Sequence, residues 1–431
     1  MSGRNDGRVL VVGTTSDYID WIRRERPGKA VFLTDYGART GAVEESPQPA
    51  EEIVTDLEDF EQTEKDLHRH MNRWGYRPVG VVCFDCESLE LAAFLAQLHG
   101  LDFPTLESIR ICRDKFAMKD AWRKSGVGCP RARIVTCEEE LYGFMREIDG
   151  PCVIKPRTGS GSELVFFCDS RKDCGKWARI MLGELGRRTG NRLYSRSTAG
   201  FVAEEYIRGK EYSCDFIAGE EEVQILRLTR KISADGRPFG TIAGYVLMDL
   251  PTGDFPVGLL EENLHRAAVA LGLRGLICMV DFLVSDGEIV LLEMSPRPGG
   301  DCIPQLLRRA GRPDILALAV DLAGKGELVL PSAGKGELVL PSYPRNGRLV
   351  ALRLHARKKG RITGFRLEKM RADPRVREIQ LVRSEGHVVV MPPEDYDSWY
   401  LGYVIFQPGW EEAVEEECRE LSGRFRMEIG S

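Results

Sequence analysis

The chain has 431 residues, room for two or three domains with cores of their own, and its 43% hydrophobic and 29% charged content is that of an ordinary soluble globular protein. A net charge of −6, with Lys and Arg scattered rather than clustered, argues against a nucleic-acid partner. No apolar run approaches the ~18 residues needed to cross a bilayer, and the first strand has no signal-peptide h-region before it. The twelve cysteines are dispersed and form no Cys/His cluster; the isolated Cys83/Cys86 spacing is the nearest approach to a paired motif. Reduced, buried thiols in a cytoplasmic protein are expected.

Residues 8–13 (RVLVVG) read as a buried strand ending in glycine, followed by a helix from about Tyr18. Residues 29–35 and 78–84 read as further strands, and 87–99 has helical periodicity. Strands alternating with helices imply a parallel α/β domain over residues 1–110. Its first turn lacks G-x-G-x-x-G, which argues against a dinucleotide-binding oxidoreductase.

Residues 113–119 (RDKFAMK) open a helix that ends at Gly126. Lys115 lies in its first turn, where a cation is unfavourable beside the positive helix end; such a lysine either serves an anion or is simply solvated. Residues 151–156 (PCVIKP) read as a buried strand with Lys155 at its end. The glycine-rich turn Thr158, Gly159, Ser160, Gly161, Ser162 follows, then a strand over 164–168. Strand, lysine and flexible loop together can cradle phosphates through backbone N–H groups. The loop is not a Walker A motif, because no helix-opening GK[ST] follows.

Residues 201–207 (FVAEEYI) form a strand on which Glu204 and Glu205 are adjacent and therefore face opposite sides. The inward one needs a partner, which an exocyclic amine or ribose hydroxyls of a nucleotide would supply; a charged edge strand is the alternative. Glu211 leads into a strand over 212–217, a strand over 223–228 leads to Arg230 and Lys231, and 240–248 is a further strand. His265 lies among Ala and Leu on a helix over 260–271 and reads as structural.

Residues 281–301 (DFLVSDGEIVLLEMSPRPGGD) carry the sharpest signal. Ser285, Asp286 and Gly287 make a hairpin turn, so Asp281 and Glu293, twelve positions apart, become neighbours on paired strands. Two carboxylates on apolar strands repel and pay desolvation unless a cation lies between them, and Mg²⁺ suits such hard oxygen ligands. A solvated surface hairpin is the alternative. Arg297 follows in a Pro-Arg-Pro-Gly-Gly loop suited to phosphate oxygens, and Asp301 could meet a substrate amine or cap a helix.

Residues 323–332 (AGKGELVLPS) recur letter for letter at 333–342, a tandem duplication that a linker over 326–345 would tolerate. Strands at 349–354 and 387–391 and a helix over 410–421 suggest a small α+β domain spanning 346–431.

In order and spacing these motifs resemble the ATP-grasp superfamily, particularly carboxylate–amine ligases of the L-amino-acid ligase type: Arg113-Asp114-Lys115, Val153 to Pro156, Thr158 to Ser162, Glu204-Glu205-Tyr206-Ile207 with Glu211, Asp281, and Glu293-x-Ser295-x-Arg297. The resemblance covers essentially the whole chain. It implies a parallel α/β domain (1–110), an ATP-grasp fold with antiparallel sheets in two subdomains (about 111–195 and 196–325), and the C-terminal α+β domain. It implies that Lys115 and Lys155 contact ATP phosphates beneath the loop 158–162. Glu204 and the backbone of Ile207 would read adenine, with Glu205 beside them, and Glu211 the ribose. Lys231, with Arg230 as competitor, would be a further phosphate lysine. Asp281, Glu293 and Ser295 would hold Mg²⁺, with Mn²⁺ as a substitute, and Arg297 would stabilise the transferring phosphoryl group. Ser295 departs from the asparagine common at this position in the family, although a hydroxyl can ligate Mg²⁺.

The implied activity is ADP-forming amide synthesis from small-molecule carboxylate and amine substrates through an acyl phosphate, with no membrane partner and a homodimer as the assembly common among relatives. Other ATP-grasp chemistry, such as purine-type ligation or carboxylation, and a non-catalytic nucleotide-binding regulator are the alternatives.

Overall fold

Runs of β-branched and aliphatic residues build the first sheet. Strands β1 (Asp6–Val12), β2 (Ala30–Thr34), β3 (Glu52–Val54) and β4 (Tyr76–Cys83) pair in parallel in the order β3-β2-β1-β4. Helices α1 (Ser16–Glu25), α2 (Phe60–Trp74), α3 (Leu89–His99) and α4 (Leu106–Arg113) surround it. The computed structural model describes residues 6–430 apart from 39, 41, 195–196, 198–199, 235, 326–347 and 410–412; the duplicated linker thus lies outside the described residues. Strand β3 and helix α2 go beyond the expected elements. In α2 Phe60, Leu67 and Met71 line one face against the core, with Thr63 and Leu67 fully buried, so the helix is amphipathic in its sequence as well.

The next segment runs α5 (Lys115–Lys124), β5 (Ala132–Val135), α6 (Glu138–Ile148), β6 (Cys152–Pro156), β7 (Phe166–Cys168), α7 (Arg171–Arg187) and β8 (Phe201–Glu205). Its four strands pair antiparallel in the order β5-β8-β6-β7, and α6 and α7 bury Phe144, Met145 and Met181 against them.

A larger sheet follows. It draws on β9 (Lys210–Ala218), β10 (Val223–Ser233) and β11 (Ile242–Met248), then, after α8 (Val257–Ala270), on β12 (Leu276–Ser285) and β13 (Glu288–Ser295). Helices α9 (Ile303–Arg309) and α10 (Ile315–Lys325) lead back to the first sheet. The C-terminal segment comprises β14 (Val350–His355), β15 (Gly360–Arg366), α11 (Glu368–Arg371), β16 (Val376–Leu381), β17 (Val388–Val389), β18 (Tyr400–Phe406), α12 (Val414–Arg424) and β19 (Arg426–Ile429).

The large sheet has the order β13-β12-β9-β10-β11-β14-β18-β16, so three strands of the C-terminal segment continue it instead of building a sheet apart. Strands β15, β17 and β19 make a separate small sheet. Helix α10 packs on β1 and β4, where Gly80 is required: a Cβ there would lie 1.9 Å from the Ala323 carbonyl oxygen. This contact and a shared core that includes Phe32, Ile217, Ile277, Leu306 and Ile405 fix the parallel sheet against the large one. All twelve cysteines are unpaired and nine are buried, in keeping with a structural role. Among the described residues no helix is long and apolar enough to cross a membrane.

Candidate active site

Side chains alternate faces along a strand, and the large sheet uses that alternation to collect polar groups on one side. Glu211, Ser213 and Asp215 on β9 share a face, as do Arg227, Thr229 and Lys231 on β10. Register places Asp281 opposite both Glu293 and Ser213, and Lys231 opposite Tyr245. The hairpin pairing inferred for Asp281 and Glu293 is therefore present.

Each of these carboxylates meets a lysine. Lys231 Nζ lies 2.6 Å from Asp281 Oδ2 and donates to Glu211 Oε1 at 2.8 Å. Lys115 Nζ lies 3.6 Å from Glu293 Oε2 and donates to the Gly159 carbonyl at 3.0 Å. Burial, assisted by the Glu293 and Glu211 charges, pushes the Asp281 carboxyl up against the opposing pull of Lys231. Burial also works to raise Glu293, but Lys115, Lys155, Lys231 and Lys119 outweigh it and bring that carboxyl to about 2. Arg230 points to the opposite face and pairs with Glu415 of α12, which leaves Lys231 as the cation on the cavity side.

Of the adjacent glutamates, Glu204 is the inward one, 2% exposed, and it stands 2.7 Å from both Lys119 Nζ and Lys155 Nζ. Lys119 also donates to the Leu292 carbonyl at 2.7 Å, joining α5 to β8 and β13. Burial pulls the Lys119 ammonium down to about 8, although Glu204 opposes it. The resemblance implies that Glu204 reads adenine; its carboxylate meets two ammonium groups at the edge of the smaller cavity. Glu205 turns the other way and forms a two-pronged pair with Arg131, with both N···O distances at 3.0 Å.

Lys115 stands at the start of α5 as expected, and the cap is Asp114, which accepts from the Phe116 and Ala117 N–H groups and pairs with Arg157. The glycine-rich turn joins β6 to β7 as a hairpin loop, with Gly161 at φ +66° and Ser162 at +59°. Gly159, Ser160, Gly161 and Ser162 line the cavity. Thr158 does not: it is 1% exposed, and its N–H donates to Ser197 Oγ at 3.1 Å, so it anchors the loop from beneath.

Arg297 faces the cavity from the loop after β13, donating through Nε and Nη2 to Cys86 Sγ at 3.2 and 3.1 Å and through Nη1 to the Pro298 carbonyl at 2.8 Å. The loop is held from below. Asp215 accepts from the Gly299 N–H at 2.8 Å and from Arg227 Nε at 2.7 Å, and neither Asp215 nor Arg227 has any side-chain exposure. Gly299 is needed for this approach, since a Cβ would lie 2.9 Å from Arg227 Nη2. Asp301 is not a helix cap: Cys302 occupies that position, while Asp301 Oδ2 lies 2.7 Å from Arg353 Nε on β14. Asp215, Arg227, Lys119 and Arg353 escaped the sequence reading. The first two could have been found from polar residues recurring every second position in apolar strands; Lys119 and Arg353 carry no such mark.

Two cavities meet at this row. One, of about 340 Å³, is lined by Arg297, Ser295, Asp301, Tyr245, Met279 and Arg353; the other, of about 170 Å³, runs between Lys155, Glu204, Ile207, Phe239 and Leu292. Lys115, Lys231, Asp281, Glu293 and the loop residues Gly159, Ser160 and Ser162 line both. Asp281, Glu293 and the Ser295 hydroxyl offer hard oxygens on paired strands. Among the described residues no cluster of three or more His, Cys, Asp or Glu side chains could hold an ion alone. Such a donor set fits a cation that completes its shell with substrate oxygens, as Mg²⁺ does.

Residues 112–301 match the ATP-grasp domain family. The L-amino acid ligase of Bacillus licheniformis superposes with a TM-score of 0.80 at 20% identity, over 99% of this chain and 100% of that one. The N5-carboxyaminoimidazole ribonucleotide synthetase of Thermotoga maritima gives 0.66 at 15% identity, over 98% and 99%. The biotin carboxylase domain of the Hydrogenobacter thermophilus 2-oxoglutarate carboxylase, solved with MgADP and bicarbonate, gives 0.64 at 15%, over 98% and 90%. In sequence, an uncharacterized Sinorhizobium fredii protein, y4rH, is 27% identical over 224 residues, 52% of this chain but only 44% of that relative's length. The domain match over residues 112–301 and the fold shared with these solved structures agree with each other.

Proposed function

We propose that the chain is an ATP-dependent, ADP-forming carboxylate–amine ligase acting on amino-acid or other small-acid substrates. The observation that carries this reading is the meeting of Lys231 with Asp281 and of Lys115 with Glu293 on the wall shared by two cavities. The smaller cavity, edged by Ile207 and Phe239, suits a nucleotide; the larger, ending at Arg297 and the Asp301–Arg353 pair, suits a small carboxylate and an amine. The similarity to an L-amino acid ligase over the full chain supports the same choice.

A substrate carboxylate oxygen attacks the ATP γ-phosphorus; the new P–O bond forms as the bond to the β–γ bridging oxygen breaks, and ADP leaves. The amine nitrogen then adds to the acyl carbon, phosphate departs with the bonding pair, and the amine proton passes to solvent. Lys115, Lys155 and Lys231 bind phosphate oxygens, and Glu204 positions Lys155 and Lys119. Glu205 and Ile207 edge the base site, and Glu211, beside Lys231, meets the ribose. Mg²⁺ held by Asp281, Glu293 and Ser295 would neutralise phosphate charge. Arg297 leaves Cys86, a weak acceptor, for the charge that develops on the phosphoryl group and the tetrahedral adduct. Loop residues 159–162 exclude water from the acyl phosphate.

The test is ADP and phosphate release from ATP and Mg²⁺ with pooled amino acids, beside an Asp281→Ala/Glu293→Ala control. Amine-dependent release that the control lacks supports the ligase. Nucleotide binding without any release favours the regulator reading that Ser295 motivates.

A further inference from the structure

A third cavity, of about 780 Å³, lies beneath helix α12 and meets the central cavities at Lys231 and Arg353. Its cationic lining comes from the loop between β10 and β11 (Arg237), from β14 and the residues after it (Arg353, Arg357) and from α12 (Arg419). The carboxylate on this wall, Glu415, is already paired with Arg230. Lys231 and Arg353 reach its inner end but are neutralised by Asp281, Glu211 and Asp301. Arg237 and Arg357 differ. Among the described residues neither has an ion-pair partner, and each donates to a backbone carbonyl, Arg237 Nη1 to Ala356 at 2.7 Å and Arg357 Nη2 to Ser422 at 3.2 Å. Arg237 is half-buried against the Trp399 ring, 5.6 Å from its centroid, and both burial and the Arg357 charge depress its basicity.

Two guanidinium groups facing one space, whose one lining carboxylate is already engaged by Arg230, repel each other, and half-buried Arg237 also loses hydration, a cost that a bound anion offsets. A guanidinium presents a planar fork of donors matched to the oxygens of a phosphoryl group. The cavity is also roomy enough for more than a bare ion. We propose that Arg237 and Arg357 form a second anion site, distinct from the nucleotide cavity, that takes a phosphate-class dianion, either free phosphate or the phosphoryl group of a small metabolite. An anion there ties the β10–β11 loop, which carries Phe239 and Gly240 to the edge of the nucleotide cavity, to the residues that follow β14. The inference does not depend on the ligase reading.

The experiment is calorimetric titration of inorganic phosphate into the full chain at constant ionic strength, with chloride as the control anion and phenyl phosphate as a second probe. Arg357 is exposed, so Arg357→Ala and Arg357→Glu leave the fold intact. Lys115→Ala disables the central cavity without touching this one. The proposal expects saturable phosphate binding that weakens at least tenfold in Arg357→Glu and Arg237→Ala and is unchanged in Lys115→Ala. Phenyl phosphate binding as well as inorganic phosphate indicates a phosphorylated metabolite; loss of binding with the phenyl group indicates the free ion. The proposal is overturned if no saturable binding occurs, if Arg357→Ala and Arg357→Glu bind like the wild type, or if binding disappears in Lys115→Ala.

Discussion

Glu204 and Lys119, on strand β8 and helix α5, meet at 2.7 Å with both side chains almost wholly out of solvent. Lys155 completes the triad at the same distance from the carboxylate. Removing one member of such a group strands the others' charge in the interior, a loss of about 3–5 kcal/mol. Glu204→Gln should therefore lower the unfolding free energy from urea titration by that order. Glu204→Gln/Lys119→Met should be much less destabilised than the sum of its single changes, because the two groups share one interaction. Additive losses would count against the triad.

Asp281 and Lys231 are read as parts of the reacting centre, so Asp281→Asn should depress nucleotide turnover about 100-fold or more, in line with the loss of one electrostatic contact in a preorganised site. Folding should be much less affected, because the uncharged isostere removes the buried repulsion with Glu293 and Glu211. Turnover and thermal melting on one preparation separate these effects.

Asp215 holds the Arg297 loop through the Gly299 N–H and through Arg227. Asp215→Ala should cost about 3–5 kcal/mol, since Arg227 is then left buried and unpaired. Asp215→Ala/Arg227→Met should recover part of that stability but leave the loop unanchored. Chemical denaturation reports the first effect, and a persistent fall in turnover by the double variant reports the second.

Thr158 and Ser160 are two positions apart in one loop yet should behave differently. Thr158→Val removes the buried hydroxyl contact with Ser197 while keeping the backbone bond to it, and should lower stability by about 1 kcal/mol with little change in nucleotide affinity. Ser160→Pro should leave stability nearly unchanged and weaken nucleotide binding several-fold, because Ser160 lines both cavities and proline removes its backbone N–H. Thermal shift with and without nucleotide reads both.

His355 is packed against the Trp399 and Tyr400 rings, 4.6 and 5.7 Å between centroids, and burial, with Arg353 and Arg237 nearby, brings its imidazole down to about 2. The unfolded chain takes up a proton below its ordinary value of 6.5 that the folded chain refuses, so stability is full above pH 6.5 and falls as pH drops through that value. The slope is at most about 1.4 kcal/mol per pH unit for one proton. His355→Gln should flatten the dependence of melting temperature on pH between about 6.5 and 5 in chloride buffer.

Much of this protein can be read from its sequence. The strand–turn–strand over 281–293 brings Asp281 beside Glu293 because side-chain direction alternates and the turn residues set the register, both local rules. The same alternation makes Glu204 and Glu205 face apart, and the order of the motifs along the chain resembles the ATP-grasp pattern that residues 112–301 match.

The tertiary structure decides the partners. Nothing local distinguishes Arg230 from Lys231 until α12 supplies Glu415 to one and Asp281 faces the other. Asp301 looks like a helix cap until β14 joins the large sheet and brings Arg353 to it. Lys119 looks like an ordinary helix lysine until β8 and β13 close over it. Sequence settles which side of its own strand a residue faces; the charge it meets there comes from packing between segments tens to hundreds of residues apart, and no local pattern encodes that contact.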